Sequence, residues 1–352
     1  MTISLCMIVK DEEETLARCL DGIKDCVDEI VIADTGSADN TREIAARYTD
    51  RLYSYPWADD FAAARNFALS RATGDYLLWL DADDFVSPEN AERLIALKDA
   101  LAESAPDLVY CPYDVGFDRG GSPTLTYYRE RILRREAGFR FVGRVHECVP
   151  PRGKTMRSEF RVLHLGSKKE RGPRNLRIYE RWAGEEKLGG RDLFYYGREL
   201  YYNRLYTAAI AVLEEMIGGD GWYVNKIEAC KILALCFLAR GENDRAADAL
   251  TKSFLYGEPR ASVLCELAKI FQTQERWAEA AFWYEGALNC RDHAEEGDFE
   301  EPACRGEIPL LSLVVCRYAA GDEAGAKKWH AVSKERFPNH PSVRFNEKFF
   351  GD

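Results

Sequence analysis

Three carboxylates stand within four positions at Asp81-Ala-Asp83-Asp84. They follow Tyr76-Leu-Leu-Trp-Leu80, a mostly apolar run too short for an ordinary helix, which predicts a short buried strand. Charged side chains are seldom fully buried without partners. The run therefore belongs in a cleft at the strand's carboxyl end, where open α/β sheets bind ligands. If the backbone stays extended, Asp81 and Asp83 point to one side. That gives two hard oxygen donors, suited to Mg²⁺ or Mn²⁺ holding a nucleotide diphosphate. The plainer alternative is an acidic turn leading into the next helix, with Ser87-Pro88-Glu89 as its start signal.

The elements that must position these carboxylates are read in order. Ile3 to Val9 predicts a first strand, and Lys10-Asp-Glu-Glu-Glu14 an acidic loop opening a helix through about Lys24. Asp28 to Ala33 predicts a second strand, ending in the turn-forming block Asp34-Thr-Gly-Ser-Ala-Asp39-Asn-Thr41. Asp39 or Thr41 would cap a helix running to Tyr48, and Arg51 to Tyr55 a third strand. A helix beginning around Trp57 to Asn66 and ending near Gly74 then precedes the Asp81 strand. Strands alternating with helices at this spacing predict βαβ units and a parallel sheet, with the glycine-bearing and acidic loops on the ligand side. Asp107 to Tyr113, Tyr127 to Arg134 and Phe160 to Leu165 read as further strands.

At 352 residues, two domains are expected, and 46% hydrophobic with 30% charged residues describes an ordinary globular protein. No apolar run approaches a membrane span, and the first ten residues lack the basic start of a signal peptide. The eleven cysteines are scattered with no CxxC pair. Cys19 with Cys26, or Cys290 with His293, has no second ligand pair, so reduced thiols in a cytoplasmic protein are expected. The net charge of −11 is uneven. From Arg129 to Arg181 there are sixteen Lys or Arg against six Glu, a local +10. The acidic whole argues against general nucleic-acid binding. The basic stretch suits an anionic ligand beside a metal site, or a solvated surface of intrachain ion pairs.

Four blocks in order carry a resemblance: Ile3 to Glu13, Ile30 to Thr41, Ala64-Arg65-Asn66 and Leu80 to Asp84. Together they resemble family 2 glycosyltransferases of the GT-A fold. Trp57 to Asn66, Phe141-Val-Gly-Arg-Val-His146-Glu147 and Leu163-His164-Leu-Gly166 are similar to bacterial members with tetratricopeptide repeats, among them the sublancin-type peptide S-glycosyltransferases. The resemblance covers the first half of the chain. It implies that Asp34 accepts a hydrogen bond from the uracil of a UDP-sugar and that Arg65 reaches the base or diphosphate. Lys10, Glu12 and Asp81 complete the implied nucleotide-sugar set. Asp83 and Asp81 would hold Mn²⁺ or Mg²⁺, with His164 as a further ligand, and the metal would neutralise the leaving UDP. The family generally inverts at the anomeric carbon, which needs a base near the acceptor. Here His146-Glu147 replaces the acidic pair of many members, leaving either Glu147 or His146 for that role.

Near Gly172-Pro173 the pattern turns helical and repetitive. Gly197 with Ala209, Ala234 with Ala246, Ala268 with Ala280 and Val314 with Ala326 each set two small or apolar residues twelve positions apart. The first-helix marks recur at intervals of 37, 34 and 46 residues, which fits tetratricopeptide repeats of about 34. The longest interval contains an acidic insertion, Asp292 to Glu301, expected as a loop. Phe345 to Phe350 is expected to cap the stack.

The expected architecture is an α/β GT-A domain with a Rossmann-like mixed sheet over residues 1–171, then an all-α repeat domain over 172–352. The expected activity is metal-dependent, inverting transfer of a sugar (hexosyltransferase type) from a UDP-sugar to a Cys, Ser or Thr side chain of a peptide or protein. A saccharide or cell-envelope acceptor, or a silent nucleotide-sugar-binding scaffold, are the alternatives. The repeats would bind the acceptor or pair two copies as a homodimer.

Overall fold

A computed structural model describes residues 1–117, 121, 123–166, 173–293 and 301–350. The expected boundary at Gly172 and most of the Asp292 to Glu301 insertion lie outside the described residues. The chain forms two compact units, Met1–Arg181 and Trp182–Asp352.

In the first unit the order is β1 (Ile3–Val9), α1 (Leu16–Ile23), β2 (Glu29–Asp34), α2 (Thr41–Ala45), β3 (Leu52–Ser54), α3 (Phe61–Arg71) and β4 (Tyr76–Trp79). Then come β5 (Asp84–Phe85), α4 (Pro88–Ser104), β6 (Leu108–Phe117), β7 (Pro123–Arg134), β8 (Thr155–Arg157) and β9 (Val162–His164). One sheet runs β3-β2-β1-β4-β7-β6-β9-β5, with β8 also on β6. β3, β2, β1 and β4 are parallel, as the alternation of strands and helices predicts. β7 then enters antiparallel to both β4 and β6, so the sheet is mixed and GT-A-like. Its two faces are covered by separate apolar clusters. One is built around Leu5, Leu20, Leu78 and Leu94, the other around Val31, Ala64's neighbour Ala68, Trp79 and Phe141.

The alanines of α3 matter here. Ala62, Ala64 and Ala68 are buried, and Arg65 and Leu69 are the longer side chains buried on the same helix. Asp60 caps it, accepting from the Ala63 N–H at 2.8 Å. The helix therefore starts at Phe61, four residues past Trp57. Ser87 and Pro88 do start α4, as read from the sequence.

The second unit is a helical repeat region. α6 (Gly190–Tyr202) packs on α7 (Tyr206–Gly218), α8 (Tyr223–Ala239) on α9 (Asn243–Lys252), α10 (Ala261–Thr273) on α11 (Trp277–Leu288), and α12 (Glu307–Ala319) on α13 (Glu323–Arg336). α5 (Arg174–Glu185) precedes them and α14 (Pro341–Phe350) follows. The small residues marking the repeats lie at the helix crossings: Ala209, Ala234, Ala246, Ala268, Ala280 and Ala326 are wholly buried. A Cβ on Gly197 would meet the Leu213 side chain at 2.5 Å, which is why that crossing takes glycine. The cap differs from expectation in detail. Val343 is the buried residue of α14, and Phe350 lies 5.8 Å from Tyr318, but Phe345 and Phe349 face outward. All eleven cysteines are free thiols. Among the described residues, no helix is long and apolar enough to cross a membrane.

Candidate active site

β4 ends at Trp79, and the extended backbone assumed for Asp81 and Asp83 does not continue. The Asp84 N–H donates to the Asp81 carbonyl at 3.0 Å, closing a tight turn. The turn redistributes the three carboxylates. Asp83 and Asp84 fall together with His164, and their ligating atoms all lie within 4.8 Å of one another. Asp81 instead turns to Arg65, whose Nη2 donates to it at 2.5 Å.

His164 reaches this place through strand pairing. β5 runs antiparallel to β9, with Asp84 directly across from His164. Asp84 is wholly buried, and both of its carboxylate oxygens have partners. Oδ1 accepts from the Tyr113 hydroxyl at 2.8 Å and faces His164 Nδ1 at 3.2 Å. Oδ2 accepts from the Asp81 N–H at 2.9 Å and pairs with Arg131 Nη2 at 3.2 Å. Arg131 is itself wholly buried; it also donates to the Trp79 carbonyl and lies over the Trp79 ring at 3.9 Å. Asp84 is thus a strut for the turn and for the His164 ring, while Asp83 lies 3.5 Å from His164 Nδ1. Burial disfavours a charged His164, but the Asp84 hydrogen bond and the charges of Asp83, Asp84 and Asp81 raise its pKa above the ordinary value.

Arg65 joins two separate blocks of sequence. Its Nε donates to Glu147 at 2.6 Å while Nη2 holds Asp81, and the guanidinium lies over Trp79 and Phe141 at 4.7 and 5.5 Å. Neighbouring Asn66 exchanges two hydrogen bonds with the Phe141 backbone, at 3.0 and 2.9 Å. The Ala64-Arg65-Asn66 block therefore fixes the Phe141 to Glu147 loop, a function its spacing did not reveal. That loop closes on itself through the Val142 and Cys148 backbones. His146 sits in it with φ +52° and stacks on Tyr179 at 6.4 Å. Burial disfavours the Asp81 charge, yet Arg65 and then Arg131 hold its carboxyl well below the usual range.

Asp34 lies at the carboxyl end of β2, one strand removed from β4. That places it about 10 Å, two interstrand spacings, from the Asp81 turn along the same edge. It accepts from the Gly36 and Ser37 N–H groups at 3.3 and 3.2 Å and pairs with Arg42 at 3.0 Å. Gly36, with φ +104°, lets the loop fold back this way. Lys10 is exposed at the end of β1. Glu12 laces the two loops together: its N–H donates to Thr41 at 2.6 Å and its carboxylate accepts from Thr15 at 2.7 Å.

Residues 4–160 match the family model described as "Glycosyl transferase family 2". This segment is a family 2 glycosyltransferase domain. The SPbeta prophage-derived glycosyltransferase SunS of Bacillus subtilis is 28% identical over 228 residues, which is 61% of this chain and 53% of SunS. A TPR repeat-containing protein of Synechococcus elongatus is 56% identical over 82 residues, 23% of this chain and 20% of its own. The lipopolysaccharide core biosynthesis glycosyltransferase LpsC of Rhizobium meliloti is 30% identical over 162 residues, 44% and 58% respectively. The matched stretch is thus little more than half of each relative's length, or less.

Within the glycosyltransferase domain, the Asp83, Asp84 and His164 group fits a divalent cation by donor chemistry, hard carboxylate oxygens with one imidazole suiting Mn²⁺ at least as well as Mg²⁺. Sequence reading missed Arg131, Tyr113 and the strut role of Asp84. Arg131 left a trace only as one of several charges in the strand-like run Tyr127 to Arg134.

The domain's Asp34 gives a pH prediction. Burial alone would raise its pKa, but the bonds from Ser37, Arg42 and Gly36 outweigh that and lower it. A carboxyl with a depressed folded pKa stabilises fully above its unfolded value, about 4, and the contribution is lost as pH falls through the folded value. Asp34→Asn should lower the urea midpoint at pH 7 and flatten its decline below about pH 4. An acid limb of unchanged steepness would contradict this account.

Proposed function

We propose that this chain transfers a sugar from a UDP-sugar to a peptide or protein side chain, Cys, Ser or Thr, with inversion. The observation that carries the reading is the family 2 domain's carboxylate turn. It sets a metal-suited Asp83, Asp84 and His164 group beside an Arg65 bridge between Asp81 and Glu147. The presence of a helical repeat unit in the same chain, and the likeness to SunS, favour a polypeptide acceptor. The assignment of residues 1–171 to catalysis and 172–352 to acceptor binding or homodimer pairing is part of the proposal, as is a cytoplasmic location.

In this reading Asp34 accepts from the uracil N3–H, and Lys10 and Glu12 border the nucleotide from the loop after β1. Asp83 and His164, braced by Asp84, would hold Mn²⁺ or Mg²⁺. Bound there, the ion would act as a Lewis acid toward the leaving diphosphate. Arg65 keeps Asp81 and Glu147 at fixed separation. The acceptor heteroatom attacks the anomeric carbon, the bond from that carbon to the phosphate oxygen breaks, and the acceptor proton passes to Glu147 or His146.

A saccharide acceptor is the second reading, favoured by the match to LpsC. The test is UDP release by the full chain from a panel of UDP-sugars with Mn²⁺ or Mg²⁺, with and without candidate peptides and saccharides. Metal-dependent release stimulated by a peptide supports the first reading, and stimulation by saccharides alone the second. UDP binding without release under any condition would leave a silent scaffold in place of the enzyme.

A further inference from the structure

Three guanidinium groups surround Trp79: Arg131 at 3.9 Å from the ring centroid, Arg65 at 4.7 Å and Arg129 at 4.9 Å. Two of them have fixed partners. Arg65 bridges Asp81 and Glu147, and Arg131 holds Asp84 and the Trp79 carbonyl. Arg129 differs. Among the described residues its guanidinium makes no hydrogen bond and no ion pair, and its one direct contact of this kind is the face of Trp79. Desolvation disfavours its charge, but Glu130, Glu147 and Asp81 nearby raise its pKa, so it stays charged.

Its surroundings say where it lies. β4 pairs with β7 from Tyr76 opposite Arg134 to Leu78 opposite Ile132. Beyond that end Arg129 stacks on Trp79, near enough to Asp81 and Glu147 for their charges to act on it. It is partly exposed there. A planar five-donor fork, stacked on an indole and left unpaired at the rim of a site, is already oriented for an oxyanion.

Of the three guanidiniums, Arg65 and Arg131 are each held by a carboxylate, and their unpartnered nitrogens are buried. Among the described residues, Arg129 is the one of the three that no carboxylate holds, and it is partly exposed.

We infer that Arg129 binds the donor, its guanidinium holding a phosphate oxygen of the nucleoside diphosphate at the Asp81 end of the site. This rests on the UDP-sugar reading above. The test is calorimetric binding of UDP and of uridine, each with Mn²⁺, to the full-length chain and to Arg129→Met and Arg129→Lys. Arg129→Met should weaken UDP tenfold or more while leaving the affinities for uridine and for Mn²⁺ alone unchanged, because uridine carries no phosphate. Arg129→Lys should recover part of the loss, since it restores the charge without the fork. Equal UDP affinity in wild type and Arg129→Met would overturn the inference and leave the UDP-sugar reading standing. Parallel weakening of UDP and uridine would overturn it too, by showing a structural role. A wild-type chain that binds neither UDP nor uridine would remove the donor reading, and this inference with it.

Discussion

Asp83→Ala is expected to lower metal-dependent UDP release by about a thousandfold or more while leaving uridine binding and the unfolding midpoint near wild type. A metal that neutralises a leaving diphosphate contributes several kcal/mol to transition-state stabilisation, and each ~1.4 kcal/mol is tenfold in rate. Asp83 is the member of the carboxylate turn nearest His164 apart from Asp84, so its loss strips the group of a donor without breaking the Arg131 pair. Two readouts separate a lost ligand from a damaged fold. Mn²⁺ titration should show a large loss of affinity, and raising Mn²⁺ should recover part of the rate. A variant that retains wild-type Mn²⁺ affinity would sink the ligand assignment, whatever its activity.

The second large effect is on stability. Arg131→Met should cost about 3–5 kcal/mol, because it removes one partner of an ion pair whose two side chains are both wholly buried. Asp84 would keep its bonds to Tyr113, His164 and the Asp81 N–H but would lose its guanidinium partner. For a unit of this size, each kcal/mol corresponds to roughly 2–4 °C, so the melting midpoint should fall by about 6–20 °C. Arg131→Lys should lie between, since it keeps the charge but loses the flat stacking on Trp79 and Tyr113. A loss under about 1 kcal/mol for Arg131→Met would contradict the buried Arg131–Asp84 pair as a main support of the turn.

The two variants show where sequence reading reached and where it stopped. Asp81, Asp83 and Asp84 are conspicuous as a cluster because carboxylates rarely follow an apolar strand without a purpose. Which of them faces His164 is decided by the hydrogen bond from the Asp84 N–H to the Asp81 carbonyl, a single backbone choice that residue types do not encode. The parallel half of the sheet was readable from alternating strands and helices. The order β4-β7-β6-β9-β5 was not, because periodicity marks a strand but does not name its neighbour. The repeats were readable through Gly197 and the alanines, where close helix crossing restricts residue size. The basic stretch from Arg129 was open to two readings, a surface for an anionic ligand or one of intrachain ion pairs, and several of its cations are braces within the domain. Arg161 forks onto Asp114 at 2.8 and 2.7 Å, Arg152 donates to the Ala137 and Gly138 carbonyls, and Arg135 to the Gly74 carbonyl. Phe345 and Phe349 were misread because aromatic spacing alone does not show which side of a terminal helix is covered.

The pairing of β5 with β9 has a consequence for synthesis on the ribosome. The carboxylate turn emerges early, yet His164 comes eighty residues after Asp84, and only a two-residue strand holds the join. Until that last strand docks, a nascent chain carries the acidic turn without its imidazole and without the partner that seats it. Affinity for a divalent ion should therefore appear late and abruptly in a series of lengthening chains, between those ending before Val162 and those ending after Leu165. Ion capture would then act as a latch on the finished sheet, since whatever binds only the completed form also stabilises it.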